Sequence, residues 1–323
     1  MSLVPDSLII ASRASRLARA QAEIVAAALR AAHPSLEVTF RTAATSGDRD
    51  VRSFRAIGGK GLFTTEVERE VLELRADVAV HSAKDLTAEL APGCSILCVP
   101  VRAAAGDVVL GGRGASGEER LASLAAGAAV GTSSMRRRAL VAEARPDLEV
   151  VELRGNLDTR LDKVARREVS AAVLAAAGLE RLGHDDLVAT GSLDASWWVP
   201  APGQGALAVE ALAERADLAA LLAPAGDADA AAELTCERAF AARLEGGCSV
   251  PLGCLARAHD GRLVASGFLG APGGGAALRD RVSGPVGAAA ELGVELAEVI
   301  LAAGGDDVLA VLEDAPAVAP SPP

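Results

Sequence analysis

Residues 128–144 read AAVGTSSMRRRALVAEA, in which a short apolar run passes through a polar turn into a helix-forming segment. This order predicts a strand at 128–130 and a helix that ends near Ala144. A strand followed at once by a helix is the repeating unit of α/β proteins, whose sheets are covered by the connecting helices. The stretch therefore decides the fold class that we expect.

The same unit recurs in both directions along the chain. Towards the N-terminus, LIIA at 8–11 leads into a helix expected to reach about residue 32, and DVAV at 77–80 leads into HSAKD. Towards the C-terminus, LEVVEL at 148–153 leads into RGNLDTRLDKVARR. We therefore predict α/β architecture with mixed sheets wrapped by helices on both faces.

The pattern changes after about residue 222. A predicted helix at 228–244 is followed by strand-like segments and then by a second helix near 286–303. The predicted strands cover 250–258, 262–269 and 278–283. Strands grouped apart from helices predict a small α+β domain at this end of the chain.

Composition excludes several classes of protein. The 323 residues contain no apolar run of the roughly 18 residues that a membrane span needs. The first ten residues, MSLVPDSLII, do not have the pattern of a secretory leader. We therefore expect a cytoplasmic protein that is not bound to a membrane. The net charge of -11 and 2% aromatic residues disfavour nucleic acid as a partner. Five irregularly spaced cysteines predict reduced thiols and no metal site, with Cys94 and Cys98 on one strand face in the core.

Polar and cationic residues follow the predicted strands, where α/β proteins bind ligands. A cation in the first turn of a helix opposes the helix dipole unless an anion is bound there. Any single arginine is compatible with a solvated surface charge, but the set as a whole, in an acidic protein, predicts an anionic ligand. The set comprises Arg13, Ser15, Lys84, Thr132, Ser133, Ser134, Arg136, Arg137, Arg154, Asn156 and Arg160.

Three other motifs fail on their spacing. GGKG at 58–61 lacks the first glycine and the hydroxyl residue of a P-loop, so it predicts a cationic loop. GQGALA at 203–208 leads into a strand-like segment, whereas a dinucleotide site needs a helix there. His81 has no second ligand at metal spacing and is interpreted as a hydrogen-bonding or packing group.

Asp85 is the only carboxylate in HSAKD and lies among many cations. One interpretation is that it caps the following helix, because aspartate is a favoured N-cap residue. The other is that it stabilises a cationic intermediate or transfers a proton in a basic cleft. The sequence leaves both open.

Cys248 lies in RLEGGCSVPLG at 243–253, where Gly246 and Gly247 predict the end of a helix and place the thiol on a loop. A free cysteine is usually a core residue, but the glycine pair favours a functional one. A nucleophile would need a histidine partner, and no histidine is paired with it locally. Covalent attachment of a group is therefore favoured.

Taken together, these residues resemble the porphobilinogen deaminase (hydroxymethylbilane synthase) family. The similar stretches run in the family's order between residues 10 and 253. They are IASRASRLARAQ, IGGKGLFTTEVE, RADVAVHSAKD, VGTSSMRRR, LRGNLDTRL, LAAAGLERLG, PAPGQGALAVE and RLEGGCSVPLG.

The resemblance implies two α/β domains like periplasmic binding proteins and a small α+β third domain. The implied ranges are 1–103 with 203–221 for domain 1, 104–202 for domain 2, 222–315 for domain 3 and 316–323 for a disordered tail. It further implies a monomeric transferase carrying one covalent dipyrromethane. Four porphobilinogen molecules would be deaminated and joined head to tail through polypyrrole intermediates, then released by hydrolysis as linear hydroxymethylbilane.

The resemblance also assigns roles to individual residues. Asp85 matches the catalytic aspartate, Cys248 the thioether attachment point, and Lys60 and Phe63 a mobile loop over the cleft. The implied cofactor-binding residues, besides Cys248 and Asp85, are Lys84, Thr132, Ser134, Arg136, Arg137, Arg154 and Asn156. The implied substrate-binding residues are Arg13, Ser15, Gln21, Arg154, Arg160, Arg181 and Gln204.

Three residues depart from the family pattern, namely Ala83, Arg16 and Ser46. None replaces a matched catalytic residue.

Two rival functions from other classes remain. The first is a non-catalytic anion-binding or sensory module on the same two-lobed fold, which would leave Cys248 without a role. The second is a DNA-binding regulator, which is suggested by SSMRRR alone and is disfavoured by the acidic net charge.

Overall fold

The computed structural model describes residues 5–43, 64–244, 250–271 and 277–314. Its strands are β1 Ser7–Arg13, β2 Glu37–Ala43, β3 Val78–Ser82, β4 Cys94–Cys98, β5 Asp107–Gly111, β6 Ala129–Gly131, β7 Glu149–Val151, β8 Ala171–Ala175, β9 Leu207–Leu212, β10 Leu252–His259, β11 Arg262–Leu269 and β12 Leu278–Pro285.

The helices connect and cover these strands. They are α1 Arg16–Ala32, α2 Thr65–Leu72, α3 Gly117–Ala122, α4 Met135–Ala144, α5 Leu157–Ala165, α6 Ala176–Glu180, α7 Asp185–Gly191, α8 Ala216–Leu222, α9 Ala228–Arg243, α10 Ala289–Ile300 and α11 Asp306–Asp314. Short 3-10 turns occupy Ala83–Asp85, Ala223–Ala225 and Val286–Ala288, and a π-helical turn occupies Leu301–Gly305.

The first sheet has the order β2-β1-β3-β9-β4 in the described residues. Strands β1, β2 and β3 run parallel, and β9 pairs antiparallel with both β3 and β4. One face packs against α1 and α8 through residues such as Ile10, Val25 and Leu218, which are fully buried. The other face packs against α2 through Ala79, Val67 and small neighbours. The parallel strands bring the ends of β1 and β3 to one edge.

The second sheet has the order β5-β8-β6-β7 and is also mixed, because β5 runs antiparallel to β8 while β6 pairs parallel with β7 and β8. Its core is built around Leu140, Val173 and the fully buried Trp198. The third sheet, β10-β11-β12, is antiparallel and packs against α9 and α10. The fold class predicted from sequence, two mixed α/β sheets and a small α+β part, is confirmed.

The chain passes between the first two sheets twice, near residues 99–106 and 193–206. Glu237 of α9 is fully buried and contacts both passages. Its carboxylate accepts bonds from Arg102 at 2.8 and 2.9 Å and from the Gly203 amide at 2.6 Å. It also accepts a bond from the Ala256 amide of β10 at 2.8 Å. One side chain thus ties the third sheet to both passages between the other two.

Most predicted elements are present with small shifts of their ends. The helix predicted to end at Ala144 does so, whereas the strand predicted at 148–153 is shorter, since β7 covers only Glu149–Val151. The helix predicted at 286–303 begins as a 3-10 turn, and the π-helical turn after α10 contains Gly304 at φ 107°. The chain then continues as α11, which the sequence patterns did not predict.

The placement of Cys94 and Cys98 on one strand face is wrong. The pairing of β4 with β9 shifts between Ile96 and Cys98, which marks a β-bulge. A bulge inserts one residue and so reverses the side to which later residues point. Cys98 consequently packs with the α1 side of the sheet, and Cys94 packs with the α2 side.

Candidate functional site

The predicted polar residues lie where strands of the first two sheets end. Arg13 ends β1, and the turn containing Lys84 and Asp85 follows β3 directly. In the second sheet, Thr132 follows β6 and Arg154 follows β7. Both sheets therefore carry polar side chains at their carboxyl edges, the place at which open α/β folds bind ligands.

Three of these residues begin helices. The Ser15 hydroxyl accepts a bond from the Ala18 amide at 3.2 Å, Ser134 accepts one from Arg137 at 3.4 Å, and the Asn156 amide oxygen accepts one from Thr159 at 2.9 Å. A helix N-terminus presents further amide groups and a positive dipole end to an anion. The caps therefore fix α1, α4 and α5 with their N-termini at the site.

A small cleft surrounds Asp85 in the first sheet. Gln21, which is buried on α1, donates a bond of 2.8 Å to the hydroxyl of Ser82 and so braces one wall. The polar lining residues are Arg13, Ser15, Gln21, Thr64, His81, Ser82 and Asp85. The structure thus brings four of the sequence-predicted residues together with His81, which the sequence analysis interpreted as a hydrogen-bonding or packing group.

Asp85 does not cap a helix. It is the last residue of the 3-10 turn Ala83–Asp85, and Leu86 after it is extended at φ -70° and ψ 142°. Among the described residues, its carboxylate forms no side-chain hydrogen bond or ion pair. The capping interpretation is therefore wrong, and the carboxylate is available to a ligand.

Two cations near Asp85 are held in unfavourable surroundings. Burial and the charge of Arg137 lower the pKa of Lys84 to about 8, although the Asp85 carboxylate acts in the opposite direction. Burial and Arg137 likewise lower the pKa of Arg160 to about 10. Its buried Nε atom has no hydrogen-bond partner among the described residues. Buried positive charges that repel each other and form no ion pair among the described residues indicate a site for an anion.

Arg136 and Arg137 belong to a buried network that sequence reasoning missed. Both donate to Asp107, each at 2.7 Å, and both are less than 10% exposed. Trp198 donates to the same carboxylate at 2.9 Å, and Gln204 donates to it at 2.8 Å. The two arginines hold the pKa of Asp107 far below its usual range despite its burial.

This network gives Arg136, Arg137 and Gln204 protein partners. Gln204 also donates to the carbonyl groups of Ala105 and Gly106, at 2.7 and 3.1 Å. These residues therefore fix the passage between the first two sheets, and their direct contact with a ligand stays a prediction.

The remaining predicted residues lie at the edge of this region or outside the described chain. Arg154 donates to Glu152 at 2.8 Å, and Arg181 donates to the Gly205 carbonyl at 2.7 Å while burial lowers its pKa to about 10. Of the family departures, Arg16 pairs with Asp158 at 3.2 Å, and Ala83 is buried. The described residues do not include Lys60, Phe63 or Cys248, so the roles predicted for them stay predictions. They also do not include Ser46.

The donor set fits a group that bears several carboxylates. Arg136, Arg137, Arg160 and Arg181 each have a buried Nε atom without a partner among the described residues. Guanidinium groups, an ammonium group and helix N-termini are the donors that carboxylates prefer in proteins. Dipyrromethane, with acetate and propionate substituents on both rings, is such a group.

Comparison with known proteins agrees with this chemistry. The family model described as "Porphobilinogen deaminase, dipyromethane cofactor binding domain" matches residues 8–220, and the one described as "Porphobilinogen deaminase, C-terminal domain" matches residues 231–302. The porphobilinogen deaminase of Roseiflexus castenholzii is 45% identical over 94% of this chain and 99% of its own length. That of Chromobacterium violaceum is 42% identical over 95% and 98%.

Solved structures that share less sequence are also similar. The periplasmic VFT2 domain of Bordetella pertussis BvgS is 14% identical, with 68% of this chain and 86% of that chain covered and a TM-score of 0.39. The resemblance inferred from the motifs is confirmed by the two family models and the curated relatives together. The chain belongs to the porphobilinogen deaminase family.

Proposed function

We propose that the chain joins four porphobilinogen molecules head to tail on a covalent dipyrromethane and then releases linear hydroxymethylbilane by hydrolysis. Membership of the family makes it a transferase of tetrapyrrole biosynthesis with this cofactor. The non-catalytic anion-binding module considered from sequence finds no support in these comparisons.

The observation that carries the proposal is the Asp85 carboxylate, which lies without a protein partner in the described chain among cations from both sheets. Loss of ammonia from porphobilinogen leaves a cationic azafulvene, which surrounding guanidinium groups would destabilise. A fixed carboxylate at that point lowers the energy of the developing positive charge. Asp85 therefore acts through its charge.

The cations hold the carboxylates of the substrate and of the growing chain. Lys84 and Arg160 are the strongest candidates because they face Asp85 and lack ion-pair partners in the described residues. Arg13 and Ser15 line the cleft beside Asp85. The dipyrromethane, when bound, supplies the free pyrrole carbon to which the first unit is joined, and Thr132, Ser134, Arg154 and Asn156 would hold it.

The attachment point is proposed to be Cys248. A thiol must be deprotonated to react, and burial suppresses this in the other cysteines. Burial raises the pKa of Cys94 to about 12, of Cys98 to about 11 and of Cys236 to about 12, and it raises that of Cys254 well above its usual value. None of these four thiols is suited to forming a thioether.

Several broader predictions remain part of this proposal. The three domains are assigned to 1–103 with 203–221, to 104–202 and to 222–315. The strands of the three sheets fall in these ranges. Among the described residues, no helix has the length and apolar character needed to cross a membrane. We further propose a cytoplasmic monomer whose ligands are porphobilinogen and polypyrroles.

The experiment is the substitution Asp85→Asn, which removes the charge and retains the shape. Turnover of porphobilinogen should fall by at least about a hundredfold, the usual loss for one preorganised electrostatic group. The melting temperature should change little, because the carboxylate has no hydrogen bond in the described structure. The variant should be produced in a host that supplies tetrapyrrole, with cofactor loading checked by intact mass.

The matched control is Asp260→Asn, which alters an aspartate whose side chain is 88% exposed in the third sheet's hairpin. It should leave turnover and melting temperature unchanged. A loaded Asp85→Asn variant that turns over within about threefold of the wild type would contradict the charge role, because acid-base and electrostatic groups usually contribute more than that.

A further inference from the structure

Three buried ionisable side chains lie behind the cleft and have no role in the function proposed above. They are His81 on β3, Glu210 on β9 and Glu68 on α2, with exposed fractions of 5%, 0% and 7%. Buried ionisable groups are costly unless they are paired, and they are concentrated at functional sites. We refer to these three residues as the His81 cluster.

The sheet register explains why the cluster forms. His81 lies opposite Ala208, and Ala79 lies opposite Glu210, so His81 and Glu210 point to the same face of the sheet. Helix α2 covers this face and adds Glu68. The Nε2 atom of His81 and the Oε2 atom of Glu210 are 3.1 Å apart, although their orientation gives neither atom an aligned hydrogen bond.

The cluster and its charged neighbours interact electrostatically. Burial and the charge of Glu210 raise the pKa of Glu68, and His81 acts in the opposite direction. From β4, Cys94 faces the same carboxylates, and its pKa is raised to about 12 by burial and by Glu210. From α9, Arg238 interacts with Glu210, while burial lowers its pKa.

The cluster reaches the site through its imidazole. His81 lines the same cleft as Asp85 and, from β1, Arg13. Glu210 and Glu68 are buried, and neither lines the cleft. A proton delivered to His81 in the cleft can therefore be balanced by two carboxylates that a ligand does not touch.

The proposed reaction releases a proton that a group such as His81 can accept. When ammonia leaves porphobilinogen, the C–N bond breaks and its electron pair departs with nitrogen, which leaves a cationic methylene carbon. The free α-carbon of the acceptor pyrrole then bonds to this carbon. The α C–H bond breaks, its electron pair returns to the ring, and one proton is released for every bond formed.

We propose that His81 accepts this proton and that Glu210 and Glu68 position and stabilise the resulting imidazolium until the proton passes to water or to the departing ammonia. The inference rests on the function proposed above. It leaves Asp85 to stabilise the cation that forms earlier in each cycle, so that separate groups serve the two charges.

The kinetic test uses His81→Gln in the fully loaded protein with porphobilinogen that carries deuterium at its free α-carbon. Coupling should slow by about a hundredfold, within the usual contribution of a positioned acid-base group. The deuterium isotope effect on coupling should increase over that of the wild type, because removal of the α-hydrogen becomes limiting. Glu210→Gln, which retains the shape of the side chain, should change the isotope effect in the same direction.

The control is His259→Gln, which replaces a histidine whose side chain is 89% exposed. It should leave rate and isotope effect unchanged. A His81→Gln variant with normal coupling, or with slow coupling, a lowered melting temperature and an unaltered isotope effect, overturns the proposal. A wild-type chain that releases no ammonia from porphobilinogen would instead overturn the proposed function itself.

A second measurement does not depend on activity. In protein labelled with ¹³C at the glutamate carboxyl carbons, the Glu68 signal is identified by its loss in Glu68→Gln. Its pKa should lie above the ordinary glutamate value, should rise further in His81→Gln and should fall in Glu210→Gln, since these neighbours lower and raise it. An unmoved Glu68 signal in both variants shows that the three groups are uncoupled and overturns the cluster.

Discussion

At the scale of single residues, Lys84 is a cation whose charge changes close to neutral pH. The pKa of about 8 lies below the ordinary lysine value, because burial and Arg137 disfavour the ammonium form. The unfolded chain therefore binds more protons than the folded chain between about pH 8 and the ordinary value of 10.5. The destabilising effect of this charge is full below that window and disappears as the pH rises through it.

Substrate binding should show the opposite pH dependence. Above about pH 8 the protein without substrate loses the charge of Lys84 beside Asp85, so the KM for porphobilinogen should rise with pH. Lys84→Arg keeps the charge, because arginine stays protonated, and should flatten this rise. Steady-state kinetics from pH 7 to 9.5 checks this, with Lys163→Arg as a control that should keep the wild-type profile. If the KM of Lys84→Arg rises with pH as steeply as that of the wild type, the pH dependence of KM belongs to another group.

The Asp107 network makes a separate prediction about stability. Arg136→Leu leaves the buried carboxylate with one guanidinium fewer, and breaking a buried pair costs about 3–5 kcal/mol of unfolding free energy. Arg16→Leu removes a solvent-exposed pair with Asp158 and should cost about 0–1 kcal/mol. Urea unfolding of the two variants measures the difference, and equal losses would contradict the network's role.

Residues such as Asp107 and Glu237 could not be predicted, because a carboxylate looks solvated until its partner is known. The partners of Asp107 are 29 to 97 positions away in sequence. Asp85 was predictable because it stands beside Lys84 after an apolar strand. The burial of Glu210 could also have been predicted from the sequence, because it is the one acid inside the apolar run LAVEAL.

At the scale of elements, the turn that carries Asp85 is held by another turn. Gly203 has φ +71°, and a Cβ atom there would lie 2.9 Å from the Ala83 carbonyl carbon and 3.0 Å from the Lys84 amide nitrogen. Backbone atoms cannot yield as a flexible side chain can. The close approach of these two turns therefore sets the position of Asp85.

This contact can be tested with two glycines of similar conformation. Gly183 has φ +79°, but its Cβ position has no neighbour within 4 Å. Both alanine variants carry the strain of a positive φ, about 1–2 kcal/mol. Only Gly203→Ala should also displace the Ala83–Asp85 turn and reduce turnover. Equal turnover in the two variants, measured beside their melting temperatures, would show that the turn position is unimportant.

Elements with strong local signals were predictable. The ends of α4 near Ala144 and of α1 near residue 32 were predicted correctly, because helix-forming residues continue up to these positions. The end of α10 at Ile300 and the face of Cys98 were not predicted. The predicted helix ran on to residue 303, and the bulge in β4 depends on how this strand pairs with β9. Local preference therefore indicates where an element lies, while contacts between strands determine an irregularity such as this bulge.

At the scale of the whole molecule, the function depends on a covalent group that the third domain is proposed to carry. Purified protein should have the mass of the chain plus one dipyrromethane, and Cys248→Ala should lack both this increment and activity. Cys94→Ala should keep the increment, because the thiol of Cys94 is held protonated with a pKa of about 12. Intact mass spectrometry measures this increment. An active protein without the added mass would contradict covalent attachment of dipyrromethane to Cys248.

The junction at Glu237 bears on how the chain folds during synthesis. Arg102 is in place long before residue 237 has been made, and until then the passage between the first two sheets holds a buried cation without this carboxylate. Domains commonly fold as they emerge, beginning at the N-terminus. Here the passage between the first two sheets acquires the Glu237 carboxylate only after more than two thirds of the chain has been made, so we expect this junction to form late in synthesis.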